Sequence, residues 1–574
     1  MSCIGFEENL VERKKNKIKI KYKLLDENIP KNSELYDYLS NKRETTSLEN
    51  AKTMFQKKKE PIPIVKRSSS RFPLPMLILP PIILSEGTVK RVIPPLGLAY
   101  MAGTLKDKKI PYEILDCVVE GPEHEEPLPN KNWSYGLPLK EIRSRIEQVN
   151  PDVVFLSIVY SSDLPSLYNV AKLVKEIDRK IIVVAGGIHA SIYPWEVFEE
   201  ANQNGRIIDF IIRGEGEYRG VEFLKNLNEG FVDANADGLC GIGDDFAFKN
   251  HQMEVIEDLD KMPFPDYTQL PMEKYFAFNV PFSPFPRGKR VMQIYTSRGC
   301  PVGCTFCAST NFNKKFRARS PDNIIEEIKH YKELFDIDEI QFADDNLTFD
   351  RKRSVELFTK LKELNLQWCT PNGIMINTLS KDLIDLMIES GLYQITLSID
   401  SGNEKTLKEE HRKPVDLSKV PDLSWYLAEK GILVHATLVV GMPNETIEDI
   451  KEGFRYTDSI YLNSIGVFLA QALPGSELYE KVYQGRDKEK KMARHIDTAR
   501  ALHKVSPIDT PVLEKLIADF LYQVNKKLKA RDPLSWQKKY EKHKDRLSKI
   551  TIGSAAPNSD GIIQAAEPAP NELF

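Results

Sequence analysis

The segment SRGCPVGCTFC, residues 297–307, places Cys300, Cys304 and Cys307 within eight positions. Thiolates are soft ligands that suit zinc and iron–sulfur clusters alike. A structural zinc site closes on four ligands. Here the fourth is missing locally: no histidine follows at finger spacing, and Cys369 sits in a separate stretch. A [4Fe–4S] cluster held by three cysteines would instead leave one iron open to a substrate or cosubstrate. Gly299 and Gly303 flank the ligands and allow close backbone approach. A structural metal knuckle is the competing reading at this point.

Such a loop needs a scaffold, and hydrophobic patterning supplies one. Apolar runs occur at VMQIYTS (291–297), EIQFAD (339–344), QWCTPNGI (367–374), YQITLSID (393–400), VHATLVVG (434–441) and SIGVFLAQ (464–471). Helical patterns at 321–335, 351–364, 380–390, 417–430 and 446–458 separate them. This alternation predicts a partial (β/α)6 barrel over 286–480, with the cysteines just past its first strand. That is the carboxyl end, where such barrels carry their active sites.

An earlier alternation precedes it. LPMLILPP (74–81), YEILDC (112–117), DVVFLSIV (152–159), KIIVVAGG (180–187) and DFIIRGEGE (209–217) read as strands. Helical segments lie at 97–109, 139–150, 165–178 and 193–202. Near-continuous Val/Ile/Leu strands separated by helices predict a parallel sheet covered on both faces. Residues 72–230 are therefore expected to form an α/β, doubly wound, Rossmann-like domain that binds ligands at its strand ends. Residues 231–285 read as a connector, 481–550 as a helical C-terminal region, and 551–574 as a disordered tail. The first 71 residues carry seventeen Lys or Arg against ten Asp or Glu. They read as a basic extension ending in a KRSSSR linker.

Bulk composition narrows the function classes. The 574 residues carry a net charge of −3, so no global basic field suggests nucleic acid. No uninterrupted 18-residue apolar run exists, so no membrane span is expected. The opening MSCIGFEENLVERKKNK lacks a signal-peptide core. Seven scattered cysteines are too few for a disulfide scaffold and fit a reducing cytoplasm.

The C-x3-C-x2-C spacing, on a loop after the first strand of a βα barrel, resembles the radical S-adenosylmethionine enzymes over roughly 290–475. Phe306, one residue before the last cysteine, matches the aromatic usual there. The resemblance implies a [4Fe–4S] cluster on Cys300, Cys304 and Cys307, with S-adenosyl-L-methionine chelating the fourth iron and yielding a 5′-deoxyadenosyl radical. FADDNLTFDRKR (342–353) resembles the segment after the second barrel strand. Asp344 and Asp345 there are open to two readings: turn formation or direct contact with cofactor or substrate. LSIDSG (397–402) resembles the family's "GIESG" strand, implying S-adenosylmethionine contacts from Ser398 and Asp400. The aspartate reaches one methylene less far than the usual glutamate. VVGMPNET (439–446) resembles "IGFPGET", implying that the backbone at Gly441 lies along the adenine. Asn444 replaces the second glycine of that pattern, and Asn tolerates positive φ. ALPGSELYE (472–480) resembles a "PYPGTELY" segment after the sixth strand.

VIPPLGLAYMAGTLKDKKIPYEILD (92–116), VVAGGIHAS (183–191) and IIRGEGE (211–217) resemble the cobalamin-binding domain fused to many of these enzymes. The resemblance implies a corrinoid held by Ser157, Ser161, Gly186, Gly187, His189, Gly214 and Glu215. No Asp-x-His-x-x-Gly motif is present. The cobalt is therefore expected to lack a protein histidine ligand.

Together the two resemblances imply a cobalamin-dependent radical S-adenosylmethionine methyltransferase. It would pass a methyl group from S-adenosylmethionine, by way of methylcobalamin, to an unactivated sp3 carbon of a small-molecule or natural-product substrate. An electron donor such as flavodoxin or ferredoxin is implied. A cyclase or oxidoreductase of the same architecture is the alternative. Methylthio transfer is disfavoured because the remaining cysteines form no second cluster. A corrinoid carrier or sensor would account for 72–230 but give no reason for the cysteine loop.

Overall fold

The computed structural model describes residues 71–485, with breaks at 130–131, 204, 234–235, 243–247, 250–252, 254, 284–285 and 313–314, then residues 505–531. Near the N-terminus it adds the backbone of two short strands, β1 (Val11–Lys14) and β2 (Lys17–Ile20), which pair antiparallel. The rest of the basic extension, most of the expected C-terminal helical region and the tail lie outside the described residues.

The next strands are β3 (Pro75–Leu79), β4 (Ile82–Ser85), β5 (Glu113–Asp116), β6 (Glu125–Leu128), β7 (Asn132–Tyr135), β8 (Val153–Ile158), β9 (Ile182–Gly187), β10 (Phe210–Ile212), β11 (Leu239–Ile242) and β12 (Phe248–Lys249). Seven of them form one sheet in the order β12-β11-β10-β9-β8-β3-β5. The five strands from β10 to β5 are parallel throughout. The order reverses between β3 and β8, the switch point where doubly wound sheets open a ligand crevice. Alternate residues face opposite layers. Met76, Ile78, Val154 and Leu156 pack on the helices Leu139–Val149, Leu164–Ile177 and Pro194–Asn202. Leu77, Val153 and Phe155 join the opposite layer with Leu98, Val221 and Phe223 of the helices Leu96–Asp107 and Gly216–Glu229.

Two features depart from the sequence reading. The sheet continues past residue 230, because β11 adds antiparallel to β10 and β12 antiparallel to β11. And β4, β7 and β6 form a separate three-stranded antiparallel sheet that no period-2 pattern announced. It is joined to the strand ends through Asp163, whose carboxylate accepts from the Ile83 N–H at 2.9 Å.

The second unit contains β13 (Val291–Ile294), the ribbon strands β14 (Ser297–Arg298) and β15 (Arg317–Ala318), then β16 (Glu339–Phe342), β17 (Gln367–Ile374), β18 (Leu392–Asp400), β19 (Leu433–Val440) and β20 (Ser464–Leu469). The six long strands are all parallel, in the order β13-β16-β17-β18-β19-β20. This is the expected partial barrel. The helix Thr510–Arg531 packs outside it, with Phe520 stacked on Phe454 at 4.0 Å.

Residues 255–283, expected to be a connector, act as a strap. The Tyr112 hydroxyl donates to Asp266, and Tyr275 donates to Asp116 beneath β5. On the barrel side the Tyr331 hydroxyl donates to the Pro265 carbonyl. Tyr267, Leu270, Met272 and Tyr275 belong to one apolar cluster that runs from β3 of the first sheet to the barrel core. Among the described residues no helix is long and apolar enough to cross a membrane.

Candidate active site between the two α/β units

The cysteine loop hangs between β14 and β15, which pair antiparallel and close its base. Gly299 and Gly303 adopt φ of +89° and +77°, and a Cβ at Gly303 would meet open space. The loop's middle is tied to the rest of the barrel by three bonds. The Thr305 N–H donates to the His411 carbonyl at 3.1 Å, and the Leu478 N–H donates to the Thr305 carbonyl at 2.9 Å. The Thr305 hydroxyl donates to the Glu410 carbonyl at 2.6 Å. Phe306 meets the fully buried His411 ring edge-on, centroids 5.2 Å apart.

All three cysteines are half-buried. Burial pushes the Cys304 thiol up to about 12 and raises that of Cys300. Such thiols keep their protons until a cation takes the protons' place, which is what an iron site does. Among the described residues no three His, Cys, Asp or Glu side chains already stand in metal-binding geometry. The two positive-φ glycines let the backbone of the loop wrap closely around a bound group. The donor set, soft and half-buried, fits iron–sulfur ligation.

The barrel's strand ends converge on this loop. Asp400 ends β18 at φ +61°, 5% exposed. Its carboxylate pairs with Lys413 Nζ at 2.5 Å and accepts from Thr437 at 3.3 Å. Lys413 also lies within electrostatic reach of Cys300 and Cys304, where its charge offsets part of the rise that burial causes. Ser398 fills the space opposite Gly373, where a Cβ would overlap its hydroxyl. Gly441 takes φ +87°, and its N–H, with that of Met442, donates to one carboxylate oxygen of Glu445 at 2.6 and 3.2 Å. Glu445 is 2% exposed, and burial pushes its carboxyl up to about 7. Asn444 does not use the positive φ expected of it. Its amide instead donates to Glu410 at 2.8 Å, tying this turn to the segment that holds Thr305.

That segment, the π-helical turn Thr406–His411, is the part sequence reasoning missed. It carries the anchors for Thr305 and Asn444 and leads into Lys413. Its only sequence signal is the charged run KEEHRK after the LSIDSG segment. π-Helical turns recur at functional sites.

The two aspartates after β16 part company. Asp344, 2% exposed, accepts from the Thr296 N–H and hydroxyl and from the Ser297 hydroxyl, pinning the base of the cysteine loop. This is the turn-forming reading. Asp345 faces the barrel mouth near Cys300 and Tyr295, and desolvation there followed by the Asp344 charge pushes its carboxyl up.

In the first unit, the expected corrinoid residues gather at the carboxyl ends of three adjacent strands. Ser157 pairs with Gly186, and Ile158 with Gly187. The Ser161 hydroxyl and His189 Nδ1 are 2.7 Å apart. His189 is 2% exposed and packs on Tyr193. The two glycines differ. A Cβ at Gly187 would overlap the Ile158 carbonyl, so this glycine serves strand-to-strand contact. A Cβ at Gly186 would meet nothing nearer than a carbonyl oxygen at 3.7 Å. Just beyond β8, Val159 and Tyr160 are 50% and 54% exposed, the Tyr160 phenol within electrostatic reach of Tyr295 on the barrel. An open backbone and an exposed apolar pair at the switch-point strands fit a broad, largely apolar macrocycle.

Gly214, at φ +97°, donates its N–H to the Ser191 hydroxyl at 2.9 Å. Glu215 is placed differently from the expectation of a corrinoid contact. Its carboxylate is taken by Arg317 at 2.7 and 2.8 Å, Arg298 at 3.2 Å and the Ile256 N–H at 2.6 Å. It joins the two units. A second join lies at the ALPGSELYE segment, where the Gly475 N–H donates to the Tyr193 hydroxyl at 3.0 Å and a Cβ at Gly475 would press on Ile192.

Residues 294–456 match the radical SAM superfamily, and residues 86–224 match the B12 binding domain. The chain is 31% identical over 451 residues to cytidylyl-2-hydroxyethylphosphonate methyltransferase of Streptomyces wedmorensis, covering 73% of this chain and 84% of that protein. It is 26% identical to the anaerobic magnesium-protoporphyrin IX monomethyl ester cyclase of Rubrivivax gelatinosus, covering 63% and 61%. In fold it is similar to the radical S-adenosylmethionine methyltransferase TsrM of Kitasatospora setae, with a TM-score of 0.56 at 14% identity, covering 71% of this chain and 76% of that one.

Proposed function

We propose, because this chain belongs to the cobalamin-dependent radical S-adenosylmethionine methyltransferases, that it methylates an sp3 carbon of a small polar metabolite held between its two α/β units. When bound, the cofactors supply a transferable methyl group on cobalamin and a hydrogen-abstracting radical from S-adenosylmethionine at the iron–sulfur cluster. The protein's part is to hold, orient and exclude.

Cys300, Cys304 and Cys307 hold the cluster. Asp400 and Lys413 form a charge pair that can exchange its internal bond for the amino and carboxylate groups of S-adenosylmethionine. Phe306, Ser398 and the Gly441 backbone line the rest of that site. Ser157, Ser161, Gly186, His189 and Gly214 surround the corrinoid at the ends of β8, β9 and β10, while Gly187 packs β9 against β8. His189 Nδ1 meets the Ser161 hydroxyl, and the chain lacks the Asp-x-His-x-x-Gly motif that would supply cobalt with a histidine. The observation that carries the reading is the placement of both sets of strand ends in one molecule, joined through Arg298 and Glu215.

Cytidylyl-2-hydroxyethylphosphonate, the substrate in the Streptomyces relative's name, is the first compound to test. A flavodoxin or ferredoxin supplies electrons, and the setting is the cytoplasm. Incubation with methyl-deuterated S-adenosylmethionine should give a product carrying the labelled methyl, with matching 5′-deoxyadenosine and S-adenosylhomocysteine. A product of unchanged carbon count with abundant 5′-deoxyadenosine would overturn methylation in favour of the cyclase type of chemistry.

A further inference from the structure

The base of the cysteine loop carries an unusual pair. Arg298 on β14 and Arg317 on β15 stand directly opposite each other across the ribbon. Like charges in that position repel. Here they are 17% and 3% exposed in their side chains, so water does little to screen them. Two carboxylates resolve the conflict, and both come from the other α/β unit. Glu215 takes Arg317 through both oxygens and also meets Arg298. Glu217 takes the other arm of Arg298 at 2.8 Å. The Arg298 guanidinium further lies over the Tyr100 ring, 4.8 Å from its centroid, on the helix Leu96–Asp107. Glu215 and Glu217 sit at the start of the helix Gly216–Glu229, where the helix dipole favours negative charge.

Position gives this ion cluster its meaning. Arg298 is two residues from Cys300, and Glu215 follows Gly214 at the end of β10. The cluster therefore ties the base of the cysteine loop straight to the strand ends of the first unit, with no flexible segment between.

We infer that Arg298, Arg317, Glu215 and Glu217 form a latch that fixes the distance between the two cofactor sites, so that hydrogen abstraction and methyl transfer stay coupled. These are positioning residues, and the inference rests on the proposed methyltransferase reading. The strap of residues 255–283 holds the two units together as a whole; the latch sets the local spacing at their reacting ends.

The test uses the full chain carrying Arg298→Met, with Glu217→Gln as a milder variant that leaves Arg298 its bond to Glu215. Three measurements separate the outcomes. Hydrogen–deuterium exchange of the enzyme without cofactors should speed up together in 210–217 and 297–318 in Arg298→Met, with less change in Glu217→Gln. With iron and corrinoid content at wild-type levels, the dipolar interaction between cob(II)alamin and the reduced cluster, read by pulsed electron paramagnetic resonance, should weaken or broaden. The yield of methylated product per 5′-deoxyadenosine should fall about tenfold in Arg298→Met. Parallel loss of product and 5′-deoxyadenosine at a constant ratio, with unchanged dipolar interaction, would overturn the latch and leave a stabilising ion cluster. If the wild type gives no methylated product at all, the methyltransferase reading fails, and the exchange and resonance measurements still decide the latch.

Discussion

The two α/β units solve opposite problems at their strand ends. In the barrel, the cysteine loop, the π-helical turn and the GMPNET turn are cross-tied through Thr305, Glu410 and Asn444. These bonds run from loop to loop and hold the three turns against one another. In the first unit, the ends of β8 and β9 present an open backbone at Gly186 and an exposed Val159–Tyr160 pair. The contrast teaches what each half must do. A site that generates a radical beside a small cosubstrate gains from fixed loops that leave little freedom. A site for a broad cofactor leaves a surface that the cofactor itself completes.

Replacing the three cysteines of the barrel loop should produce the largest effect. Cys300→Ala, Cys304→Ala and Cys307→Ala together should abolish cluster iron and 5′-deoxyadenosine while corrinoid binding persists. Iron analysis and gel filtration with cobalamin check both halves at once. Loss of corrinoid along with iron would show that the two sites are not separable.

Within the first unit, two adjacent glycines should behave differently. Gly186→Val places a side chain on the open face and should weaken cobalamin retention about tenfold, with little change in thermal stability, as read by spectroscopic titration. Gly187→Ala, whose Cβ overlaps the Ile158 carbonyl in a positive-φ backbone, should destabilise the fold by about 1–3 kcal/mol. Denaturant melts check that. If both glycines lose cobalamin equally at unchanged stability, the distinction between an open and a packed glycine fails.

The smallest expected effect is a pH dependence in the barrel. The Glu445 carboxyl is raised from 4.5 to about 7 by burial, so the folded protein holds a proton there that the unfolded chain has released. Stability should therefore decline as pH rises from about 4.5 to about 7 and level off above. Glu445→Gln keeps an acceptor for the Gly441 and Met442 N–H groups and should flatten that part of the profile. Melting temperatures of both proteins across this range test it, and identical slopes would refute it.

The barrel was legible because its parallel strands are rich in apolar residues and write themselves as apolar runs. Its six strands fall where the runs do, within a few residues. The sheet of β4, β7 and β6 was not legible, since EEPL and NWSY carry no alternation. Residues 231–285 read as a connector, yet Leu239–Ile242 and Phe248–Lys249 within them are strands that extend the first sheet. At the site, the three cysteines announced themselves by spacing. Lys413, Glu410 and Arg298 did not, because a charged residue in sequence looks the same whether solvated or paired. Glu215 shows the same limit. Its place beside Gly214 suggested a ligand contact, whereas its partners are two arginines 83 and 102 positions away.

The strap of residues 255–283 has a consequence for how such proteins are assembled over evolutionary time. Its Tyr275 donates to Asp116, its Asp266 accepts from Tyr112, and the rings of Tyr267 and Tyr275 join an apolar cluster continuous from β3 to the barrel. Neither half, cut free, would keep that surface covered. The two halves are therefore not interchangeable cassettes: recombination that brings in a foreign corrinoid domain must bring a matching strap, or leave a wide greasy seam open to aggregation.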